Sequence, residues 1–213
     1  MKEKIKEFIT KNFKWIILFI CLTIFLGLAE DVFNKELMNG DIMGYKFVST
    51  YLMSDFATPI TKFITNFGGA IFIIILTVIL FVIIKNKKIG ISIISNLVII
   101  TAINQILKRI VQRPRPTEYR IIEETGYSFP SGHSMVSMAF YGYLIYLIYK
   151  YVKNKYLKYI SIILLSILIC SIGISRIYLG VHYTSDVLAG FMISISYLII
   201  YISAINKFFI KDE

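Results

Sequence analysis

Residues 63–84 read FITNFGGAIFIIILTVILFVII, a run without a single charged side chain. Crossing roughly 30 Å of hydrocarbon takes about 20 apolar residues in a helix, because every backbone polar group must be satisfied inside that helix. The stretch therefore predicts a membrane span. The composition agrees, since 57% of the 213 residues are hydrophobic, which exceeds the share in soluble domains.

Five further apolar runs predict an all-α, polytopic membrane protein with six transmembrane helices. The predicted spans are 15–29, 63–84, 89–107, 134–149, 157–174 and 185–205. Between the first two, residues 31–62 mix charges with Tyr45, Val48, Leu52 and Phe56, a spacing that predicts an amphipathic helical segment on the outer surface. Ordinary interfacial anchoring is the alternative for its aromatic residues. Residues 1–213 are expected to form one domain, with a motif-bearing core at 104–190.

Lysines alternate with the spans and predict the orientation, because cytoplasmic loops carry an excess of positive charge. They lie at Lys2, Lys4, Lys6, Lys11 and Lys14, at Lys85, Lys87 and Lys88, at Lys150, Lys153, Lys155 and Lys158, and at Lys207 and Lys211. Both termini are then cytoplasmic in a multi-pass protein of the cell membrane. Gly27-Leu28-Ala29 could end a cleaved signal peptide, but an uncleaved anchor preserves the lysine pattern.

The formal charge of +10 would suit a nucleic-acid binder. Lysine-rich stretches beside apolar runs are more typical of cytoplasmic loops, so no nucleic-acid partner is expected. The five arginines behave differently, because the topology places all of them on the outer side: Arg109, Arg113, Arg115, Arg120 and Arg176. A guanidinium group binds phosphate oxygens through two parallel hydrogen bonds, so the cluster indicates an anionic ligand. Attraction to anionic lipid head groups is the alternative for Arg109, Arg113 and Arg120.

Both histidines fall at the outer ends of predicted spans. His182 and Asp186 are four residues apart and would share a helix face, so the carboxylate can accept a hydrogen bond from one ring nitrogen and leave the other as a nucleophile. Capping the last helix is the alternative role for Asp186. In Pro130-Ser131-Gly132-His133, a helix N-terminus with free N–H groups predicts an anion site, although a plain turn would read the same way.

Lys108 and Arg115 lie at and just beyond the outer end of the third predicted span, so the same membrane face gathers them with the histidines. Glu123, Glu124 and His133 could be imagined as metal ligands. Their spacing matches no familiar site, and the two acids are expected on a solvated loop, so no metal and no cofactor are predicted.

Together these segments resemble the signature of the type-2 phosphatidic acid phosphatase superfamily, relatives of the vanadium haloperoxidases. The pattern K-x6-R-P is met by Lys108, Arg115 and Pro116, P-S-G-H by residues 130–133, and S-R-x5-H-x3-D by Ser175, Arg176, His182 and Asp186. The resemblance implies that His182 attacks phosphorus, that Asp186 orients it, and that His133 protonates the leaving oxygen and then activates water. It also implies that the phosphate oxygens are held by Lys108, Arg115, Ser131, Gly132 and Arg176.

An outer-face site in a mostly apolar chain predicts a lipid phosphate or pyrophosphate as substrate, with membrane lipids around it and no protein partner inferred. Undecaprenyl pyrophosphate is favoured over phosphatidic acid and phosphatidylglycerol phosphate, because the compact chain shows no obvious extra domain and that carrier is released outside. A transporter or scaffold without enzymatic activity is the alternative from another class. A haloperoxidase is disfavoured, since those relatives are soluble.

Overall fold

The computed structural model describes residues 2–34 and 38–209, with side chains described from residue 12 onward. Lys211 therefore lies outside the described residues, as do the side chains of Lys2, Lys4, Lys6 and Lys11. Over the described ranges the chain is helical and contains no strand. The helices are α1 Lys2–Phe33, α2 Asn39–Tyr51, α3 Ala57–Asn66, α4 Ala70–Ile83, α5 Lys87–Val111, α6 Gly132–Tyr151, α7 Lys155–Tyr178 and α8 Thr184–Phe208.

Among the described residues, four helices are long and apolar enough to cross a membrane. They are Asn12–Phe33 within α1, and α5, α7 and α8; α3 and α4 make a fifth if the pair counts as one span. The all-α architecture agrees with the prediction, but the count of six is not reached. The difference lies in α6, whose serines, glycines and tyrosines lower its hydropathy.

The span predicted at 63–84 is not one straight helix. α3 ends at Asn66 and α4 begins at Ala70, with a bend of 50° between them. Gly68 explains the bend, because a Cβ atom at this position would stand only 2.6 Å from Cγ2 of Ile172 on α7. The chain can pass α7 this closely only where it carries no side chain.

The segment predicted as one amphipathic helix, residues 31–62, contains the end of α1, then α2 and the beginning of α3, and its residues 35–37 lie outside the described residues. Val48 is buried and Tyr45 is half-buried, whereas Leu52 ends α2 and Phe56 is 81% exposed. The apolar spacing therefore marks the buried face of α2 only. α2 packs on the ends of α7 and α8, which brings it to the predicted site.

α6 lies at the centre of the helix bundle, in contact with α5, α7 and α8, while α1 packs along α8. Two of its tyrosines, Tyr141 and Tyr143, are buried. The Tyr143 hydroxyl donates to Oγ of Ser92 at 2.7 Å, and Tyr201 of α8 donates to the Ser92 carbonyl at 2.6 Å. A helix covered by protein on most sides has little need of a uniformly apolar surface. The C-terminal ends of α5 and α7 meet the N-terminal ends of α6 and α8, and the predicted site residues lie there.

Candidate active site

His182 lies in the short loop between α7 and α8 and is 3% exposed. Its Nε2 atom is 3.0 Å from Nη1 of Arg115, and its Nδ1 atom is 3.3 Å from Oδ2 of Asp186. Arginine can only donate, so Nε2 must accept and the ring proton belongs on Nδ1, where Oγ of Ser128 at 3.2 Å and Oδ2 of Asp186 can both accept it. Burial lowers the pKa of His182 to about 4, although the hydrogen bond and charge of Asp186 raise it. The imidazole is therefore neutral at pH 7, with the lone pair on Nε2.

Asp186 is completely buried in the first turn of α8, and each of its carboxylate oxygens is used. Oδ2 accepts from the hydroxyl of Ser128 and from the backbone N–H of Tyr183, at 2.9 Å for the latter. Oδ1 accepts from Nη1 of Arg113 at 2.6 Å. The same carboxylate thus caps α8 and fixes His182, so the two roles considered for Asp186 coexist.

Arg115 is held by the loop that follows α5. Its Nε atom donates to the carbonyl of Gly126 at 3.0 Å, Nη2 donates to that of Thr125 at 2.9 Å, and Nη1 donates to that of Val181 at 3.0 Å. These three carbonyls fix the plane of the guanidinium group against Nε2 of His182. A cation therefore stands at the nitrogen that the sequence singled out as the nucleophile.

The N-terminus of α6 forms the opposite wall. The Ser131 hydroxyl caps the helix by accepting from the N–H of Ser134, and Gly132 opens the first turn. A Cβ atom at Gly132 would lie 3.2 Å from Oδ1 of Asn104 and 3.9 Å from Cε of Lys108, so the end of α5 stands directly beside this turn. Lys108 reaches across to the carbonyl of Tyr127. An ammonium group and the free N–H groups of a helix start thus converge, an arrangement that favours an anion.

His133 follows in the first turn of α6 and is half-buried. Its Cδ2 atom would be 3.1 Å from a Cβ atom on Gly68, so the link between α3 and α4 packs against the imidazole ring. Within the described part of the chain, neither ring nitrogen has a hydrogen-bond partner. The ring is close enough to interact electrostatically with His182, Arg115 and Arg176.

Arg176 is almost fully buried near the end of α7. Nη1 donates to Oγ1 of Thr65 at 2.7 Å, and Nη2 donates to Oε1 of Glu124. Nε has no partner among the described groups. A buried N–H without a partner costs about 1–3 kcal/mol, so it is the kind of donor that a bound phosphate oxygen would satisfy.

Burial alone would raise the pKa of Glu124, but the charges of Arg176 and Arg115 hold it below its ordinary value. Glu124 is therefore ionised and belongs to the arginine cluster. The expectation that both acids lie on a solvated loop is right for Glu123, whose side chain is 92% exposed, and wrong for Glu124.

The sequence profile of the PAP2 superfamily matches residues 89–210, more than half of the chain. The chain belongs to the PAP2 superfamily. This confirms the membership that the three motifs predicted.

Two curated relatives of this PAP2 protein are phosphatases by name. Phosphatidylglycerophosphatase B of Bacillus subtilis is 35% identical over 94 residues, which cover 44% of this chain and 46% of the relative. Undecaprenyl-diphosphatase of Sulfolobus acidocaldarius is 26% identical over 208 residues, covering 91% of this chain and 93% of the relative. Both names agree with the predicted class of enzyme, a hydrolase acting on phosphate esters or anhydrides.

Two solved structures share the fold. The transmembrane PAP2-type phosphatidylglycerolphosphate phosphatase of Bacillus subtilis superposes with a TM-score of 0.79 at 26% identity, covering 90% of this chain and 96% of that one. Aquifex aeolicus LpxE superposes with a TM-score of 0.62 at 21% identity, covering 75% and 92%. With the apolar helices described above, these neighbours identify the PAP2 protein as a multi-pass membrane protein.

All eight residues that the sequence predicted for the site lie around one end of the helix bundle. Sequence reasoning missed Ser128, Asp41 and Thr65, placed Glu124 on a solvated loop, and left Arg113 open as a lipid contact. The Arg113 side chain is only 11% exposed and is paired with two carboxylates, so it belongs to the site. Arg109 is exposed and Arg120 pairs with Glu123 at 3.8 Å, so neither joins the cluster.

The described residues contain no group of three potential metal ligands among their histidines, cysteines and acids. They do surround a cavity of about 1340 Å³ that reaches His182 but not His133. Its apolar wall includes Val32, Phe33, Ile110 and Val111. Its polar wall includes Arg113 and Tyr183. Residues 35–37, which follow Val32 and Phe33 of the apolar wall in the sequence, lie outside the described residues.

Proposed function

We propose that this PAP2 protein hydrolyses the phosphate ester or pyrophosphate of a membrane lipid through a phosphohistidine on His182. The observation that carries the proposal is the state of His182: its Nδ1 proton faces Asp186 and the Ser128 hydroxyl, and its Nε2 lone pair faces Arg115. A neutral imidazole fixed in this tautomer is a nucleophile without further proton transfer.

The residues at the site can supply and accept each proton that the reaction transfers. Nε2 of His182 forms a bond to phosphorus while the bond from phosphorus to the leaving oxygen breaks, and His133 supplies the proton that this oxygen takes up. Water then attacks the phosphohistidine, His133 accepts its proton, and the N–P bond breaks to release inorganic phosphate. Asp186 stabilises the positive charge that develops on His182 in the first step.

The phosphate is held by charge and by oriented N–H groups. Lys108, Arg115 and Arg176 supply cationic donors, and Ser131 and Gly132 supply the start of α6. Phosphoryl transfer depends mainly on positioning and on stabilising charge on the equatorial oxygens, and these donors can do both without a metal. We therefore assign no metal and no cofactor to the reaction.

The membrane arrangement that fits this reaction has six spans, with α6 as the central one and the α3–α4 pair counted once. Both termini then lie in the cytoplasm, and the site opens at the extracytoplasmic face. Support comes from the lysines between the spans and from the burial of α6 by its neighbours. Residues 1–213 act as one phosphatase domain, and the catalytic and phosphate-binding residues lie within 104–190.

Two lipid classes are candidates. Undecaprenyl diphosphate stays the first, supported by the relationship to an undecaprenyl-diphosphatase along nearly the whole chain. Phosphatidylglycerol phosphate is the second, supported by the higher local identity and by the structural neighbour. The apolar wall of the cavity beside His182 suits a lipid chain in either case.

The test measures phosphate release by the purified protein in one detergent from undecaprenyl diphosphate, phosphatidic acid and phosphatidylglycerol phosphate. We expect release from at least one lipid, its loss in His182→Ala, and alkali-stable, acid-labile phosphate bound to wild type during turnover. His133→Ala should retain that bound phosphate longer, because it lacks the base for the second step. Equal release by wild type and His182→Ala would indicate contamination and favour a transporter or scaffold.

A further inference from the structure

Asp41, on the first turn of α2, reaches the N-terminus of α8. It is 8% exposed, and its Oδ1 atom accepts from the backbone N–H of Ser185 at 2.8 Å. Oδ2 accepts from the Ser185 hydroxyl at 3.0 Å and from Nη2 of Arg113 at 2.7 Å. The function proposed above uses neither Asp41 nor Arg113, although both are buried and charged next to its reactive groups.

Arg113 joins the carboxylates of Asp41 and Asp186. Nη1 donates to Asp186 at 2.6 Å and Nη2 donates to Asp41 at 2.7 Å, while the guanidinium carbon lies 4.0 Å from the centre of the Tyr183 ring. The result is a continuous row of alternating charge that runs from Asp41 through Arg113 to Asp186, and Asp186 in turn contacts the neutral imidazole of His182. Each link is a charge-assisted hydrogen bond in a site largely withdrawn from water, where such bonds are strong.

The packing of α2 is tight where this row begins. A Cβ atom on Gly44, one turn after Asp41, would lie 2.1 Å from Oγ1 of Thr184. α2 therefore contacts the start of α8 with no room for even a methyl group, and Asp41 is fixed relative to Ser185 and Asp186. This placement makes Asp41 part of a rigid support.

We infer that Asp41 is a positioning residue for the His182 reaction, acting through Arg113 on the carboxylate of Asp186. The inference rests on the proposed function. With Asp41 in place, the positive charge of Arg113 is shared between two carboxylates, and Asp186 keeps enough negative charge to stabilise the developing imidazolium of His182. Without the Asp41 charge, Arg113 would draw on Asp186 alone and weaken its interaction with His182.

Asp41→Asn tests the charge while preserving the shape, because the amide oxygen can still accept from Ser185 or Arg113. We expect kcat to fall about 10- to 100-fold, the order of the contribution of one charge-assisted hydrogen bond. KM should change less than kcat, since Asp41 lines the cavity beside His182 but contacts none of the phosphate donors. Arg113→Lys, which cannot bridge two carboxylates, should lower kcat in the same way.

A second readout separates positioning from mere stability. Removing a negative charge near His182 disfavours its protonated form and lowers its pKa. In a plot of kcat/KM against pH, the acid limb of Asp41→Asn should therefore lie at lower pH than that of wild type. The other charged or titratable groups facing His182 are unchanged in the variant: Asp186, Arg115, Glu124, Arg176 and His133. A role limited to capping α8 would lower thermal stability and leave this limb in place.

The matched control is Asp55→Asn, an exposed acid in the same outer segment, which should keep the wild-type kcat and pH profile. Rates are normalised to the fraction of each preparation that binds orthovanadate, a phosphate analogue, so partial misfolding does not imitate the effect. Wild-type kcat in Asp41→Asn, or a loss of stability with an unmoved acid limb, would overturn the inference and leave the proposed function intact. A wild type inactive on every lipid phosphate would overturn both.

Discussion

Replacing Gly68 by alanine should lower the rate of phosphate release, because the added methyl group would press on the imidazole of His133. The added Cβ atom would stand 2.6 Å from Cγ2 of Ile172, 3.0 Å from Oγ of Ser137 and 3.1 Å from Cδ2 of His133. Carbon atoms pack at about 3.5–4.0 Å, so the first contact is too short by about 1 Å. Ile172 is fully buried in α7 and cannot retreat without moving the helix. The strain must then fall partly on the imidazole of His133.

The size of the effect follows from these contacts. Overpacking a filled core costs about 1–3 kcal/mol of stability, which sets the expected fall in the free energy of unfolding. A displacement near 1 Å of a group that must reach the leaving oxygen can lower a rate by about 100-fold. We therefore expect kcat to fall to about a hundredth of its value, with KM little changed, since Gly68 touches none of the phosphate donors.

The assay compares phosphate release and thermal unfolding of wild type, Gly68→Ala and Gly27→Ala in one detergent. Gly27 is the matched control, because a Cβ atom there meets nothing within 4 Å. It should keep the wild-type kcat and gain helix stability of about 0.5–1 kcal/mol. Wild-type turnover by Gly68→Ala would refute the argument that the α3–α4 link holds His133 in its reactive position.

Three further outcomes are expected. First, kcat/KM should fall on the acid side with a midpoint near pH 4, because burial lowers the pKa of His182 to about 4 and only the neutral ring attacks; a midpoint near the ordinary histidine value, or a flat profile, would contradict this. Second, Arg176→Lys should lower kcat/KM about 10²- to 10³-fold in the phosphate-release assay, since lysine cannot bind Thr65, Glu124 and a phosphate oxygen together; a loss below about ten-fold would speak against a phosphate contact. Third, excess EDTA should leave the rate unchanged, and a loss restored by a divalent cation would show that a metal takes part.

Sequence reasoning located the parts of the site that short spacings determine. His182 and Asp186 do lie together, but not on one helix face as predicted, because His182 precedes the N-cap of α8 and the capping carboxylate of Asp186 reaches back to it. The topology alone brings Lys108 and His133 to the same end of the bundle. Asp41 could not be found in this way. It lies more than 140 residues from its partner Ser185, and its contacts depend on how α2 packs against α8.

The sequence predicted the helices whose position depends on their own apolar residues. It predicted less well the parts of the fold that depend on packing between helices. The helices now seen as α5, α7 and α8 contain the predicted spans within a few residues. The Gly68-Gly69 pair was a visible signal for the break between α3 and α4, but the apolar run around it outweighed it. The burial of α6 depends on its neighbours, so hydropathy alone could not determine whether it crosses the membrane.

The bond from Arg115 to Nε2 of His182 has a chemical consequence for selectivity among reagents. The reactive nitrogen is already occupied by a donor, so an uncharged alkylating agent meets a covered lone pair. An oxyanion offers the guanidinium a better acceptor than imidazole does, and by drawing the arginine away it uncovers the nitrogen beside its own phosphorus. On the proposed function, the protein thereby keeps its imidazole nucleophile inert towards most electrophiles and responsive to the charge of a phosphate.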